Sequence, residues 1–281
     1  MQKHNSRFNK KSKKIIYFYI AVFAVACGFV LSKQSFASKN SITNGLTSKE
    51  TTITTTEATK IEEKIFGYSE EGRAIEGYEI GNGEDVLFFF GSIHGNEMGT
   101  VDLLETLIEK IKTEPSIVDS SKKLIIIPCV NPDGYYDRVD KLNANEVNLN
   151  LNFATSDWQQ YGPDNGDYAG DEPFSEKESQ VIKEIVETYN PDLMISYHSS
   201  GFLVTPEYNH KPSSDLALWY AEMTGYTYYD DESWDYPGTA TKWFMETTDN
   251  PAITIELTDN ENSDWNINKD ALTELISTDI F

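Results

Sequence analysis

Cysteine is nearly absent from this sequence, which has two cysteines among 281 residues. Cys27 lies in an apolar N-terminal run, and Cys129 lies in a second apolar run at residues 124–130. Without Cys27, the single remaining cysteine cannot form an internal disulfide, so the fold must be stabilised by a hydrophobic core rather than by cross-links. A thiol packed in a strand accounts for Cys129 better than a catalytic nucleophile does.

Basic residues are also few, with 23 Lys and Arg against 46 Asp and Glu and a formal net charge of −23. The first 37 residues carry seven of the basic residues and no acidic one, so the remainder has 16 basic and 46 acidic residues and a formal charge of −30. Such a surface disfavours nucleic acids and anionic membranes as partners. A solvated acidic surface explains the charge most simply, and it indicates no particular chemistry.

The N-terminal segment has the layout of a secretory signal. Residues 1–14 are basic, residues 15–31 are almost wholly apolar, and a small-x-small pattern ends at Ala37. This predicts cleavage after Ala37. The first alternative is an uncleaved membrane anchor, since 17 apolar residues is near the lower limit for a membrane span. A second is a lipoprotein cysteine at Cys27, which is weaker because the residues before it lack the usual leucine. Each interpretation predicts an extracellular or cell-envelope protein, and the lack of disulfides favours a Gram-positive bacterium.

Composition and periodicity divide the rest of the chain into a spacer and one domain. Residues 38–60 are rich in Ser and Thr and predict a flexible spacer, and residues 61–281 have the size of one domain. Strands are predicted at 86–90, 124–130, 192–197 and 252–257, and helices at 97–112, 175–189, 213–224 and 268–278. This alternation predicts an α/β fold, with a central mixed, mostly parallel sheet covered by helices on both faces. The aperiodic stretch 134–171 is typical of a functional loop region.

Four side chains with metal or acid–base chemistry lie at the ends of predicted strands. His94 and Glu97 follow the first strand, His198 closes the third, and Glu256 lies in the fourth. Two histidines and one glutamate with an open fourth position are typical of a catalytic zinc site, and a second glutamate nearby could accept a proton from water. Each residue alone has a structural explanation: a helix start, a satisfied histidine, or half of an ion pair. Their combination is harder to explain structurally.

A set of motifs, taken together, is similar to the zinc carboxypeptidase family, the carboxypeptidase A-like metallopeptidases, and in particular to an exported bacterial member. The motifs are GSIHGNE at 91–97, NPDG at 131–134, NLNLNF at 148–153, YHS at 197–199 and TIEL at 254–257. Residues 69–75, SEEGRAI, also resemble the start of that family's domain. The resemblance covers residues 61–260.

The resemblance implies a Zn²⁺ cofactor and a role for each of the four strand-end residues. His94, Glu97 and His198 would be the zinc ligands. Glu256 would be the general base that deprotonates a zinc-bound water and then hands the proton to the leaving amine. Zinc supplies a nucleophile near neutral pH and polarises the scissile carbonyl.

The resemblance also implies substrate-binding residues, and here the sequence departs from the family pattern. Tyr236 matches the mobile tyrosine that covers the substrate, and Asn150 matches the asparagine that binds a substrate carboxylate. The family's carboxylate-clamping arginine is replaced by Leu151, which has no hydrogen-bond donor in its side chain. The arginine expected to stabilise the oxyanion corresponds to Lys141, with Arg138 as the other candidate, and a lysine keeps the charge but loses the fork geometry.

These departures lead to the hypothesis of an exported zinc metallopeptidase that hydrolyses an amide bond in a peptide, or in a cell-wall muropeptide. Lys242 either lines the pocket and favours an acidic group or is a surface residue. A first alternative is an N-acyl amino acid deacylase of the aspartoacylase-like type, against which the export segment argues. A second is a non-catalytic zinc- or wall-binding relative, against which retention of Glu256 and Tyr236 argues. The chain is expected to be a monomer that contacts a membrane only through an uncleaved N-terminal segment.

Overall fold

The apolar strands form one eight-stranded mixed sheet in the order β1-β2-β4-β3-β5-β8-β6-β7. The structure is a computed structural model that describes residues 59–138, 140–160 and 167–278, without the side chains of residues 137 and 138. The predicted signal segment 1–37 and all but the last two residues of the predicted spacer 38–60 lie outside the described residues. The strands are β1 Ile61–Tyr68, β2 Ala74–Ile80, β3 Asp85–Phe90, β4 Lys122–Ile127, β5 Leu193–Ser199, β6 Leu203–Pro206, β7 Thr227–Tyr228 and β8 Ala252–Leu257.

The centre of the sheet consists of four parallel strands. β3 pairs in parallel with β4 on one side and β5 on the other, and β5 pairs in parallel with β8. β2 and β6 run antiparallel to this central group on its two sides. The carboxyl ends of β3, β5 and β8 therefore lie side by side at one edge of the sheet.

Helices cover both faces of the sheet, which confirms the predicted α/β architecture. They are α1 Met98–Thr113, α2 Lys177–Tyr189, α3 Lys211–Thr224, α4 Ala240–Thr248 and α5 Trp265–Ser277. The apolar sides of α1, α3 and α5 pack on one face of the sheet, and those of α2 and α4 pack on the other. Among the residues that the structure describes, no helix is long and apolar enough to cross a membrane.

The predicted elements are present, although some boundaries differ and several elements were not predicted. The strand predicted at 124–130 begins at Lys122 and ends at Ile127, directly before a proline. Cys129 lies just beyond the strand rather than in it and is half-buried, and burial raises the pKa of its thiol to about 12. The sequence did not predict the β1–β2 hairpin because β1 is an edge strand whose residues are only partly buried.

Candidate metal centre and active site

Three neighbouring strands bring the candidate side chains to one edge of the sheet. His94 follows the end of β3 in the turn that leads into α1, and Glu97 directly precedes that helix. His198 lies in β5, and the strand register places it opposite Glu256 of β8. The carboxyl edge of a parallel sheet is a usual place for a binding site in α/β proteins, because the loops that follow the strands converge there.

Two imidazole nitrogens and one carboxylate form a tight triangle at this edge. His94 Nδ1 lies 3.2 Å from His198 Nδ1 and 3.0 Å from Glu97 Oε1. Glu97 Oε2 lies 3.1 Å from His198 Nδ1. All three side chains are largely buried, with exposures of 13% for His94, 9% for Glu97 and 2% for His198. The far ring nitrogen of His94, Nε2, lies 3.0 Å from Asn148 Oδ1, which fixes the orientation of the ring.

The three groups perturb one another's protonation. Burial lowers the pKa of His94, so its imidazole favours the neutral form. Burial disfavours the charged forms of Glu97 and His198 as well, but their mutual attraction outweighs it. The pKa of Glu97 falls to about 2, and the pKa of His198 is raised. The cluster therefore combines an ionised Glu97 with a neutral His94, and the Glu97 charge favours a positive charge on His198.

His94, Glu97 and His198 fit a zinc ion in three respects: the type of donor atom, the distances between the donors, and a buried donor without a hydrogen bond. Nitrogen and oxygen ligands of a tetrahedral zinc with bonds of about 2.0 Å lie roughly 3.3 Å apart, close to the observed separations. Glu97 Oε2 is buried and, within the described residues, makes no hydrogen bond despite its short distance to His198. The two imidazole nitrogens and the carboxylate lie close enough together to contact one common ion. His94, Glu97 and His198 could therefore hold Zn²⁺ and leave one side open for water.

Glu256 lies beside this triangle and has an unusual proton affinity. Burial raises the pKa of its carboxyl to about 7, and the Glu97 charge adds to that effect while His198 opposes it. A carboxyl with a pKa near neutrality can both accept and donate a proton in the working range of most enzymes. Gly201 packs against it so closely that a Cβ at that position would lie 2.6 Å from Glu256 Cβ.

A cavity of about 440 Å³ opens over the candidate metal centre. Five of the predicted catalytic or substrate-binding residues line it together with His94 and His198: Lys141, Asn150, Leu151, Tyr236 and Glu256. Asn150 is held in place because its side-chain oxygen accepts a hydrogen bond from the backbone N–H of Ala240 at 3.3 Å. Tyr236 is 53% exposed at the cavity rim, and Leu151 is buried in the wall. The structure thus brings these residues together around one cavity.

Lys141 is the positive side chain of the cavity wall. Its Nζ lies 3.2 Å from Asp167 Oδ1, and its charge acts on His94, His198 and Glu256. Both members of the Lys141–Asp167 pair are more than 40% exposed, so the ion pair is solvated. The side chain of the other oxyanion candidate, Arg138, lies outside the described residues.

Lys242 differs from both expectations for it, since it neither lines the cavity nor lies on the surface. It is 8% exposed, and its Nζ donates hydrogen bonds of 2.7 Å to Asp157 and to Asp235. The ion pairs explain the burial, because a lysine is rarely buried unless its charge is paired. Lys242 ties α4 to two loops of the cavity wall and does not offer its amine to a substrate.

The sequence reasoning did not assign roles to three further residues of the site. Asn148 contacts His94, while Thr205 and Thr254 line the cavity from β6 and β8. Asn148 carried a signal, since it opens the same motif as Asn150. Thr254 carried a signal too, since it opens the TIEL motif, whereas Thr205 carried none, because threonine is common in any strand and β6 was not predicted.

Comparison with known proteins finds relatives that cover most of the described domain. The model of the zinc carboxypeptidase family matches residues 51–278, which is most of the chain. Murein peptide amidase A of Vibrio campbellii is 27% identical over 176 residues, covering 58% of this chain and 66% of the relative. Carboxypeptidase B of Astacus astacus is 26% identical over 158 residues, covering 47% of this chain and 52% of the relative. The matched segment thus spans between half and two thirds of these relatives.

A solved structure shows the same fold at low sequence identity. The murein-tripeptide amidase of Escherichia coli O157 superimposes with a TM-score of 0.62 at 22% identity, covering 78% of this chain and 93% of the other. This agreement is evidence for the α/β fold alone.

Proposed function

The chain belongs to the zinc carboxypeptidase family, and on that premise we propose that it is a zinc-dependent metallopeptidase that hydrolyses an amide bond of cell-wall muropeptides. The observation that carries the proposal is that two histidine nitrogens and the Glu97 carboxylate lie within about 3 Å of one another. A second carboxyl group, that of Glu256, lies beside them and can accept a proton. The fold alone would be compatible with many functions, whereas this set of donors suits metal-assisted hydrolysis.

His94, Glu97 and His198 would hold Zn²⁺, which would supply Lewis-acid polarisation and lower the pKa of a water towards neutrality. The chain supplies the proton transfers. Glu256 accepts the proton of the attacking water and delivers it to the nitrogen of the leaving amine, for which a pKa near 7 is well matched. Lys141 places a positive charge next to the developing oxyanion.

The cavity wall supports a substrate other than an ordinary peptide C-terminus. Leu151 offers no side-chain donor, and the amine of Lys242 is engaged by two aspartates, so neither can clamp a terminal carboxylate. Lys141 remains as a point charge without the geometry of an arginine fork. Three of the relatives are murein peptide amidases, which supports a muropeptide substrate.

The test uses the zinc-loaded chain with two substrates, a purified muropeptide containing D-glutamate and diaminopimelate and a simple L-dipeptide. We expect cleavage of the muropeptide, read from product masses, and little release from the dipeptide. Equal and efficient cleavage of both would contradict the argument from Leu151. Zinc binding at one ion per chain without cleavage of either would instead favour a non-catalytic zinc-binding protein.

We further propose that the chain acts outside the cytoplasmic membrane. The basic segment 1–14, the apolar run 15–31 and the small residues before position 38 support export. Expression of the full chain in a Gram-positive host, followed by fractionation, tests this. Mass determination of the N-terminus in the medium and envelope distinguishes cleavage after Ala37 from retention as an anchor, and recovery in the cytoplasm alone would refute export.

A further inference from the structure

An aromatic row of three side chains, Tyr236, Trp234 and Tyr229, leads away from the candidate active site. Tyr236 and Trp234 line the cavity, and their ring centroids lie 6.3 Å apart. Trp234 in turn contacts Tyr229, with a centroid separation of 5.5 Å. Tyr236 is 53% exposed, and the other two residues are half-buried. An aromatic surface that solvent can reach therefore begins at the cavity and extends beyond it, and such surfaces commonly mark binding sites.

The aromatic row is anchored at both of its ends. Tyr229 directly follows β7, and its backbone N–H donates a 2.9 Å hydrogen bond to the carbonyl of Val204 in β6. Near the other end, Asp235 accepts a hydrogen bond from the buried amine of Lys242 in α4. A short 3-10 helix, Glu232–Trp234, lies between these two anchors. The rings are thus held by the sheet and by α4 before a ligand binds, which lowers the entropic cost of binding.

The polar atoms of the aromatic row have no hydrogen-bond partner within the described part of the chain. The indole N–H of Trp234 and the hydroxyl groups of Tyr229 and Tyr236 contact no acceptor or donor there. The indole N–H of Trp158 differs, since it donates to the carbonyl of Leu151 at 2.9 Å. The aromatic row therefore combines apolar ring faces with polar atoms that can form hydrogen bonds to a ligand.

The charges next to the aromatic row are negative. Asp230, Asp231 and Glu232 are exposed and lie between Tyr229 and Trp234 in the sequence. These carboxylates and the formal net charge of −23 repel anionic polymers, whether nucleic acids or phosphate-rich wall polymers. Carboxylates accept hydrogen bonds from neutral hydroxyl groups, however. An uncharged ligand with apolar faces and many hydroxyl groups fits these surroundings, and a pyranose ring has both features.

We propose that the aromatic row is a binding subsite for the sugar part of a muropeptide, with pyranose rings stacked on Trp234 and Tyr229. The proposal rests on the function proposed above, and it adds a second point of attachment outside the cavity that holds the peptide part. The separation between neighbouring rings is comparable to the length of one sugar unit, so successive sugars can contact successive rings. Binding energy from this non-reacting part of the substrate helps to position the scissile bond.

A kinetic experiment compares two substrates with the same stem peptide, one with the wall disaccharide attached and one from which it has been removed. We expect kcat/KM of the zinc-loaded protein to be higher for the disaccharide substrate by about threefold to tenfold, the size expected for aromatic stacking. In Tyr229→Ala the ratio of the two kcat/KM values should fall towards one. Tyr229→Phe keeps the ring and should retain most of the ratio.

Tyr68→Ala is the matched control, since Tyr68 is a 55% exposed tyrosine at the end of β1. β1 and β7 lie at opposite edges of the sheet, so this substitution is remote from the aromatic row. It should retain the preference for the disaccharide substrate. A parallel fall of kcat/KM on both substrates in Tyr229→Ala would assign the ring a structural role and overturn the inference.

A calorimetric titration tests the subsite without turnover. The probe is chitotetraose, an oligomer of N-acetylglucosamine that carries no peptide. We expect saturable binding to the unmodified protein, weaker binding to Tyr229→Ala and to Trp234→Ala, and unchanged binding to Tyr68→Ala. Failure of the unmodified protein to bind chitotetraose would overturn the inference and leave the proposed function intact, and so would equal kcat/KM for the two muropeptide substrates. Cleavage of neither substrate by the zinc-loaded protein would overturn the proposed function, and the titration would then still decide whether the aromatic row binds sugar.

Discussion

Glu256 lies next to the three candidate metal ligands, but its proposed role is proton transfer rather than metal binding. His94, Glu97 and His198 present donors to a common point, whereas Glu256 is positioned by the register of β8 against β5. We therefore expect Glu256→Gln to lower kcat by about 10²- to 10⁴-fold, because the amide cannot accept the proton of water. Zinc content, measured by metal analysis, should stay near one per chain.

Glu261→Gln serves as the control for that substitution, because Glu261 is an exposed glutamate in the loop that follows β8. It should retain full activity. If Glu256→Gln lost its zinc, Glu256 would be a ligand and the assignment of the base would be wrong.

Gly201 determines the shape of the site without contributing a functional group. A Cβ there would lie 2.6 Å from Glu256 Cβ and 2.9 Å from its Cγ, so Gly201→Ala must displace the base. We expect kcat to fall by about 10²-fold, since misplacement of a catalytic group by about 1 Å costs that much. Kinetics of the zinc-loaded variant measure this effect.

The control for Gly201→Ala is a glycine with free space around it. Gly225 has a φ of +76° and no atom within 4 Å of its added Cβ. Gly225→Ala should lower the free energy of unfolding by about 1 kcal/mol through backbone strain and leave kcat unchanged. A normal kcat in Gly201→Ala would show that the strands can move apart to admit the methyl group.

At the scale of elements, Lys242 connects α4 to two loops at the cavity rim. Its amine donates hydrogen bonds to Asp157 in one loop and to Asp235 in the other, which also carries Tyr236. We expect Lys242→Met to raise KM and to lower the free energy of unfolding by about 1–3 kcal/mol. This loss of stability is smaller than that expected for a fully buried ion pair, because the side chains of Asp157 and Asp235 are 42% and 28% exposed.

Thermal unfolding and hydrogen exchange in the Asp157 and Asp235 loops measure these effects. Lys211→Met at the exposed start of α3 is the control, since the Lys211 side chain is 82% exposed. It should leave both the stability and the exchange rates unchanged. Unchanged exchange in Lys242→Met would show that the loops keep their position without the lysine.

The long elements of this fold were predictable because each has one dominant pattern. β3 is buried along almost its whole length, and α1 buries apolar residues at helical spacing, so both are recognisable from hydrophobicity. β6 and α4 have 4 and 9 residues and derive their structure from tertiary contacts with β8. Short elements that depend on neighbours carry little local signal. The wall of the cavity, which they form, was therefore the part that the sequence described least well.

The metal centre was predictable because scarce residue types marked it. Only four histidines occur in the chain, so two of them at strand ends were informative. The environment of a common residue type could not be predicted in the same way. Lys242 and Glu207 are ordinary charged residues in the sequence, and both are buried in the folded chain. Burial of a charge is a property of the tertiary structure rather than of the local sequence.

At the scale of the whole molecule, negative charge and buried acids together determine how stability depends on pH. Glu178, at the start of α2, is fully buried, and this burial raises the pKa of its carboxyl to about 7 from an unfolded value near 4.5. The folded chain therefore holds this proton more tightly than the unfolded chain does. The contribution of Glu178 is fully present below about pH 4.5 and is lost as the pH rises through about 7.

We expect Glu178→Gln to raise the free energy of unfolding of the metal-free chain at pH 8 by about 1–3 kcal/mol and to change it little at pH 5. Metal-free protein is required, because protonation of the metal ligands would otherwise add its own pH dependence. Thermal unfolding at the two pH values measures the difference, with about 2–4 °C per kcal/mol for a domain of this size. Glu184→Gln, at an exposed position of the same helix, should have little effect at either pH. A loss of stability in Glu178→Gln at pH 8 would show that the hydrogen bonds from Asn143 and the Glu70 backbone stabilise the ionised carboxylate more than burial destabilises it.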